Sequence, residues 1–200
     1  MLVVHLLLVI ASYLVDIVFS VFEHTASLLN LPPKFFLSFM FASVLSSQME
    51  IPIKRQHPMV TINVGGAVLP LLLASYLTLT FSLFPYCIAA VGVVSTVGFL
   101  ISQRTKEGIK LPALALPATA TIVSLFFFKQ CNCVALAYVA GVIGAIVGVD
   151  LLNIPFMFMK LEKQHVLSIG GKGTFDGIFV TGVVALIMAT LLHYIFGGLK

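Results

Sequence analysis

Residues 134–152 read VALAYVAGVIGAIVGVDLL, and no charge interrupts the run before Asp150. A helix needs about 20 apolar residues to cross the ~30 Å hydrocarbon core of a bilayer, and this stretch has that length. The same criterion applied outward along the chain gives seven runs, at 2–22, 35–53, 64–84, 86–103, 111–128, 134–152 and 174–196. The second turns polar at its end (Ser46, Ser47, Gln48, Glu50), and a turn at Pro85 separates the third from the fourth.

Composition points the same way. The 200 residues are 60% hydrophobic and 9% charged, with a mean hydropathy of +1.14, whereas soluble domains carry about 25% charged residues. So few charges cannot cover a water-facing surface, which excludes a disordered chain, a secreted disulfide scaffold and a nucleic-acid binder. The expectation is an all-α, polytopic membrane protein of a prokaryotic cell membrane, one integral domain over 1–200. Its partner is the lipid bilayer, with no nucleic acid.

The net charge of +4 reflects 11 Lys and Arg against 7 Asp and Glu. Lys54, Arg55, Arg104, Lys106, Lys110, Lys160, Lys163 and Lys172 fall in the even-numbered connections, and only Lys34, Lys129 and Lys200 on the other side. By the positive-inside rule this puts the amino terminus in the cytoplasm and the carboxyl terminus outside. The first run lacks a basic leader and is longer than a signal-peptide core, so it reads as a retained helix. Cys87, Cys131 and Cys133 then face outward, where a bridge can form, although buried cysteine as an apolar residue is the plainer reading.

Glu50-Ile51-Pro52, Gln56-His57 and Val64-Gly65-Gly66 recur in the same order as Asn153-Ile154-Pro155, Gln164-His165 and Ile169-Gly170-Gly171. This order predicts two parallel three-helix repeats, about 1–85 and 111–200, joined by a linking helix at 86–110. The paired glycines allow irregular backbone or close approach where a helix begins. Ala140, Gly144 and Gly148 form a small-residue stripe suited to helix packing in lipid.

Carboxylates inside a bilayer are costly, so each is a candidate for function. Asp150 ends the sixth run and Asp176 opens the seventh; antiparallel neighbours would hold them at similar depth. Aligned on the repeat, they correspond to Ser47 and Leu71, so only the second half carries acids at those positions. Two carboxyls in a low-dielectric site share a proton, and such a pair can activate water or bind a proton or cation. The structural alternative is that Asp150 caps or snorkels and Asp176 sits on a helix dipole. Glu50, Asn153, Gly170, Gly171, Gly173 and Thr174 complete the candidate substrate- or ion-binding set. His57 and His165 read as solvated loop residues or a headgroup-binding surface. Asp16, in the outer half of the first run, reads as a polar contact between helices. No metal-ligand spacing and no cofactor motif is present.

Val149-Asp150-Leu151-Leu152-Asn153, followed by Ser168-Ile169-Gly170-Gly171-Lys172-Gly173-Thr174-Phe175-Asp176-Gly177, resembles an archaeal and bacterial membrane family, domain of unknown function 1614. Val64-Gly65-Gly66-Ala67 adds to that likeness, which covers most of the chain and implies no particular activity. A looser resemblance is to the GxGD intramembrane aspartyl proteases, which place one Asp on each of two successive helices after a glycine motif. It implies catalytic roles for Asp150 and Asp176. Val149 stands where that class carries tyrosine, Phe175 where it carries glycine, and the seven runs contrast with its nine; Pro112-Ala113-Leu114 precedes the acids where that class has such a tripeptide after them. The leading expectation is therefore an aspartyl protease-like hydrolase acting on a transmembrane peptide. The alternatives are a proton- or cation-coupled transporter or channel acting on a small ion, and a non-catalytic membrane scaffold.

Overall fold

The computed structural model describes residues 2–54, 59–105, 108–127, 129, 132–160, 166–171 and 177–197. Its helices are α1 (Leu2–Leu28), α2 (Pro33–Ser46), α3 (Leu69–Thr80), α4 (Phe84–Ile101), α5 (Ala115–Phe126), α6 (Cys133–Ala145), α7 (Ile154–Lys160) and α8 (Gly177–Gly197). The strands are β1 (Glu50–Lys54), β2 (Met59–Asn63), β3 (Gln103–Thr105), β4 (Gly108–Lys110) and β5 (Val166–Ile169). Two π-helical turns, Val64–Val68 and Ile146–Asp150, lead into α3 and out of α6, and a 3-10 turn, Leu151–Asn153, joins the second to α7.

Every apolar run is helical over most of its length, so the protein is mostly helical. Four helical stretches are long and apolar enough to cross a membrane: Val4–Leu28, Phe84–Ile101, Cys133–Phe158 and Gly177–Ile195. Pro33–Ser46, Val64–Thr80 and Ala115–Phe126 are apolar but shorter.

Stretch 133–142 is buried on every face, the pattern of a helix apolar all round. Around α6 stand α3, α4, α5 and α8. The small-residue stripe sets the spacing to α4. A Cβ on Gly144 would come within 2.5 Å of Val94 Cγ1, and one on Gly148 within 2.2 Å of the Ser95 carbonyl oxygen. Gly148 lies inside the second π-turn; in the first, a Cβ on Gly65 would stand 1.9 Å from the Ser43 carbonyl oxygen of α2. Each π-turn thus presses a glycine onto a serine of the helix beside it.

Three boundaries differ from the sequence expectation. The second run stops being helical at Ser46, because Glu50–Lys54 leaves as a strand. The chain reverses at Ser82, whose φ is +50°, and Pro85 lies in the first turn of α4, where its missing N–H costs nothing. The fifth helix starts at Ala115, after β4.

The strands themselves were not foreseen. β1 and β2 pair antiparallel, with Glu50 opposite Asn63 and a bulge between Pro52 and Lys54. β2 pairs parallel with β5, Met59 opposite Val166 through Ile62 opposite Ile169. Pro52 sits on the edge strand, where it withholds no central hydrogen bond. β3 and β4 form a separate two-stranded ribbon. Parallel pairing brings the two Gly-Gly segments together, although Ile62 rather than Val64 faces Ile169.

Candidate functional site

Asp150 ends the second π-turn, partly buried. Its Oδ2 accepts a 2.9 Å hydrogen bond from the Gly170 backbone N–H. Gly170 follows β5 with φ +88°, a left-handed conformation that costs an L side chain energy. A Cβ there would also lie 2.7 Å from the Ala67 Cβ. Gly170 therefore touches both π-turns: its N–H holds Asp150, and its Cα faces Ala67 of the first. Gly171 is left-handed as well, with φ +69°.

Asn153 is fully buried. Its Nδ2 donates to the Val149 carbonyl at 2.8 Å and the Gly148 carbonyl at 3.1 Å. These belong to the π-turn, whose wider hydrogen-bonding pattern leaves carbonyls in need of outside donors. Its Oδ1 accepts from Arg104 Nε at 2.5 Å. The Arg104 guanidinium lies over both members of a contacting ring pair, 4.8 Å from the Phe99 centroid and 4.4 Å from that of Phe156. Arg104 thus ties the β3–β4 ribbon to the end of α6 through its hydrogen bond to Asn153 and its cation–π contacts with the two rings.

Asn63 does the corresponding work in the first half. Fully buried, it accepts the Gly66 N–H at 2.7 Å and donates to the Ser47 carbonyl at 2.7 Å. It caps the first π-turn and binds it to the end of α2. Glu50 is exposed on β1, its Oε2 accepting the Thr61 hydroxyl at 2.9 Å.

Of the residues singled out from sequence, Asp150 and Gly170 are in direct contact, with Gly171 adjoining. Asn153 lies one helical turn beyond Asp150, and Glu50 stands apart on the sheet edge. Gly173, Thr174 and Asp176 lie outside the described residues, as do His57, His165 and Cys131. The sequence reading missed Asn63 and Arg104. A capping asparagine directly before Val64-Gly65-Gly66 was a readable signal for the first; the ring pair around Arg104 had none.

Cys87 and Cys133 are free and buried, and the Cys133 Sγ lies 3.8 Å from His193 Nδ1. Among the described residues no group of three His, Cys, Asp or Glu side chains is placed to hold a metal ion.

An apolar groove of ≈ 650 Å³ opens between α2 and α3, lined by Leu31, Phe35, Phe39, Leu69, Leu73 and Tyr76 among others. Leu69 stands two residues after Ala67, the neighbour of Gly170.

These features define a mostly helical protein with four helices suited to cross a membrane and an acid held by a glycine turn at one end. The model of the family described as "Protein of unknown function (DUF1614)" matches residues 9–188, and the chain belongs to that family. No curated protein and no solved structure matches it.

Proposed function

We propose that this chain is an aspartate-dependent hydrolase acting within the membrane on a membrane-spanning peptide. The observation that carries the reading is the open apolar groove between α2 and α3, one wall of which carries Leu69, two residues along the chain from the buried Ala67 that packs on the Gly170 turn holding Asp150. A substrate helix entering sideways from lipid would rest on that wall. Asp176 follows Gly170 by six residues and immediately precedes α8, a helix packed on α6. With one carboxyl ionised and one protonated, the first takes a proton from water as it attacks the peptide carbonyl, and the second donates to the carbonyl oxygen.

Seven crossings belong to this reading, with the amino terminus in the cytoplasm and the sheet on the cytoplasmic side. The eight-to-three distribution of Lys and Arg supports that orientation. The short helices α2, α3 and α5 would cross where the bilayer thins around them.

A coupled transporter is the second reading. Two π-turns, each pressed by a glycine onto a neighbouring helix and each lying beside the Gly170 turn, favour it. Such turns recur at functional sites, and helix breaks in matching halves are a transporter device. The repeat itself is part of this reading, supported by the parallel pairing of β2 with β5.

The test is cleavage of a single-span reporter peptide by the purified chain in lipid vesicles. Asp150→Asn and Asp176→Asn should each lower cleavage by about 100-fold or more, the scale of acid–base assistance. Absence of cleavage by the native chain, together with proton-linked uptake lost in both variants, would replace hydrolysis by transport.

A further inference from the structure

We propose that α1 is a self-association helix, pairing with α1 of a second copy of this chain along a stripe centred on Asp16. Residues 4–20 of α1 are all exposed. The helix joins the body only near its end, where Phe22 meets the Phe36 ring at 5.5 Å and the Thr25 hydroxyl donates to Thr190 at 3.1 Å.

The exposed part is not uniformly apolar. At about 100° per residue, His5, Ser12, Ser20 and Glu23 all fall within about 40° of Asp16 around the helix. Thr25, which faces the body, lies on the opposite side. The fold therefore points the polar stripe away from its own chain, and Asp16 has no hydrogen-bond or ionic partner among the described residues.

The helix continues to Leu28, past the end expected from sequence, so Asp16 stands at the midpoint of the Val4–Leu28 stretch rather than in its outer half. A bilayer centred on that stretch puts the carboxyl near its middle, too deep to reach water. An unpartnered acid there is costly whether charged or neutral, because hydrocarbon offers no hydrogen bond.

The chemistry of the stripe selects the partner. Copies inserted in the same sense pair about an axis along the membrane normal, so each residue faces its own counterpart. Such an interface needs groups that both donate and accept. Serine hydroxyls do both, and so does a carboxyl group in its protonated form. Ser12 donates to the Val9 carbonyl at 2.8 Å within its own helix, so across the interface its oxygen accepts, and it donates only on exchanging that bond. Glu23 and His5, toward the two ends, are near enough to the boundary to remain hydrated. A foreign helix carrying one basic residue would match Asp16 but leave the two serines without a purpose.

The test uses the full chain in lipid vesicles, with its three native cysteines replaced by alanine and one new cysteine added. Ser12→Cys and Ser20→Cys should cross-link to a dimer on oxidation, whereas Val18→Cys, on the opposite face, should not. Adding Asp16→Leu to Ser20→Cys should cut cross-linking at least tenfold, and Asp16→Asn, which still donates and accepts, should restore it. Equal cross-linking at Val18 and Ser20, or indifference to Asp16→Leu, overturns the proposal. A cross-link only to a different added membrane chain does so too. Should the cysteine replacements unfold the protein, energy transfer between labelled copies with native cysteines gives the same comparison: native and Asp16→Asn chains associate, Asp16→Leu chains do not. Failure of Asp16→Leu to lower transfer counts against it.

Discussion

Gly170 and Asp150 come from segments 20 residues apart, yet the Gly170 N–H donates to the Asp150 carboxylate at 2.9 Å while the Gly170 Cα rests against Ala67. One glycine thus fixes the acid and closes the space between the two π-turns. The backbone conformation and the missing side chain are both required.

Gly170→Ala should accordingly destabilise the protein by about 2–4 kcal/mol, the sum of a left-handed alanine and an overpacked contact. Ala67→Gly removes the 2.7 Å Cβ contact but leaves φ and the backbone neighbours unchanged, so it should recover only part of the loss. Thermal unfolding of the two single variants and the double variant checks this. Full recovery would mean that φ carries no cost.

Gly148 in the second π-turn and Gly92 in α4 should behave oppositely according to their surroundings. Gly148→Ala places a methyl 2.2 Å from the Ser95 carbonyl oxygen, so the helices must separate, at a cost of about 2 kcal/mol or more. Gly92 has nothing within 4 Å of its would-be Cβ, and Gly92→Ala should be neutral or stabilise by up to about 1 kcal/mol. The melting temperatures of the two variants should move apart.

Asn153→Ala strips the Gly148 and Val149 carbonyls of a buried donor and Arg104 of its acceptor. The expected loss is about 2–3 kcal/mol, the cost of unsatisfied buried groups. Arg104→Lys keeps the charge but loses the Nε donor to Asn153 and the broad guanidinium over the Phe99 and Phe156 rings, and should retain less than half of the native contribution. Chemical unfolding in detergent reads both. An Arg104→Lys variant as stable as the native chain would reduce the residue to a point charge.

The parallel pairing of β2 with β5 can be tested directly. Met59 and Val166 are register partners, and adjacent strands lie ~4.8 Å apart, within the reach of a disulfide. Met59→Cys with Val166→Cys should cross-link within one chain on mild oxidation. Moving the second cysteine to Ser168, two residues out of register, should lower the yield several-fold.

Helices were legible because they follow from composition: a long apolar run has few polar side chains to bond its backbone N–H and C=O groups, and a helix satisfies them inside the run. Seven apolar runs therefore became helical over most of their length, and the central run 134–152, which decided the class, is largely buried up to Val149. Gly144 and Gly148 were legible as packing positions, since only small residues allow such approach. Helix ends were less so. Glu50–Lys54 reads as the tail of an apolar run, but its hydrogen bonds go to Met59–Asn63, a partner its own sequence does not name.

Asp150 was singled out because an acid at that position in an apolar chain is expensive wherever the chain folds. Its contact with Gly170, the approach of Ala67 to that glycine and the contacts of Arg104 with Asn153 and Phe156 all join segments distant in sequence. Such contacts depend on which faces meet, and facing is a property of the packed body rather than of any single run. For the same reason α1 was recognisable as a span from its residues, whereas the outward aim of Asp16 was decided only when Phe22 and Thr25 docked the opposite side of that helix against α2 and α8.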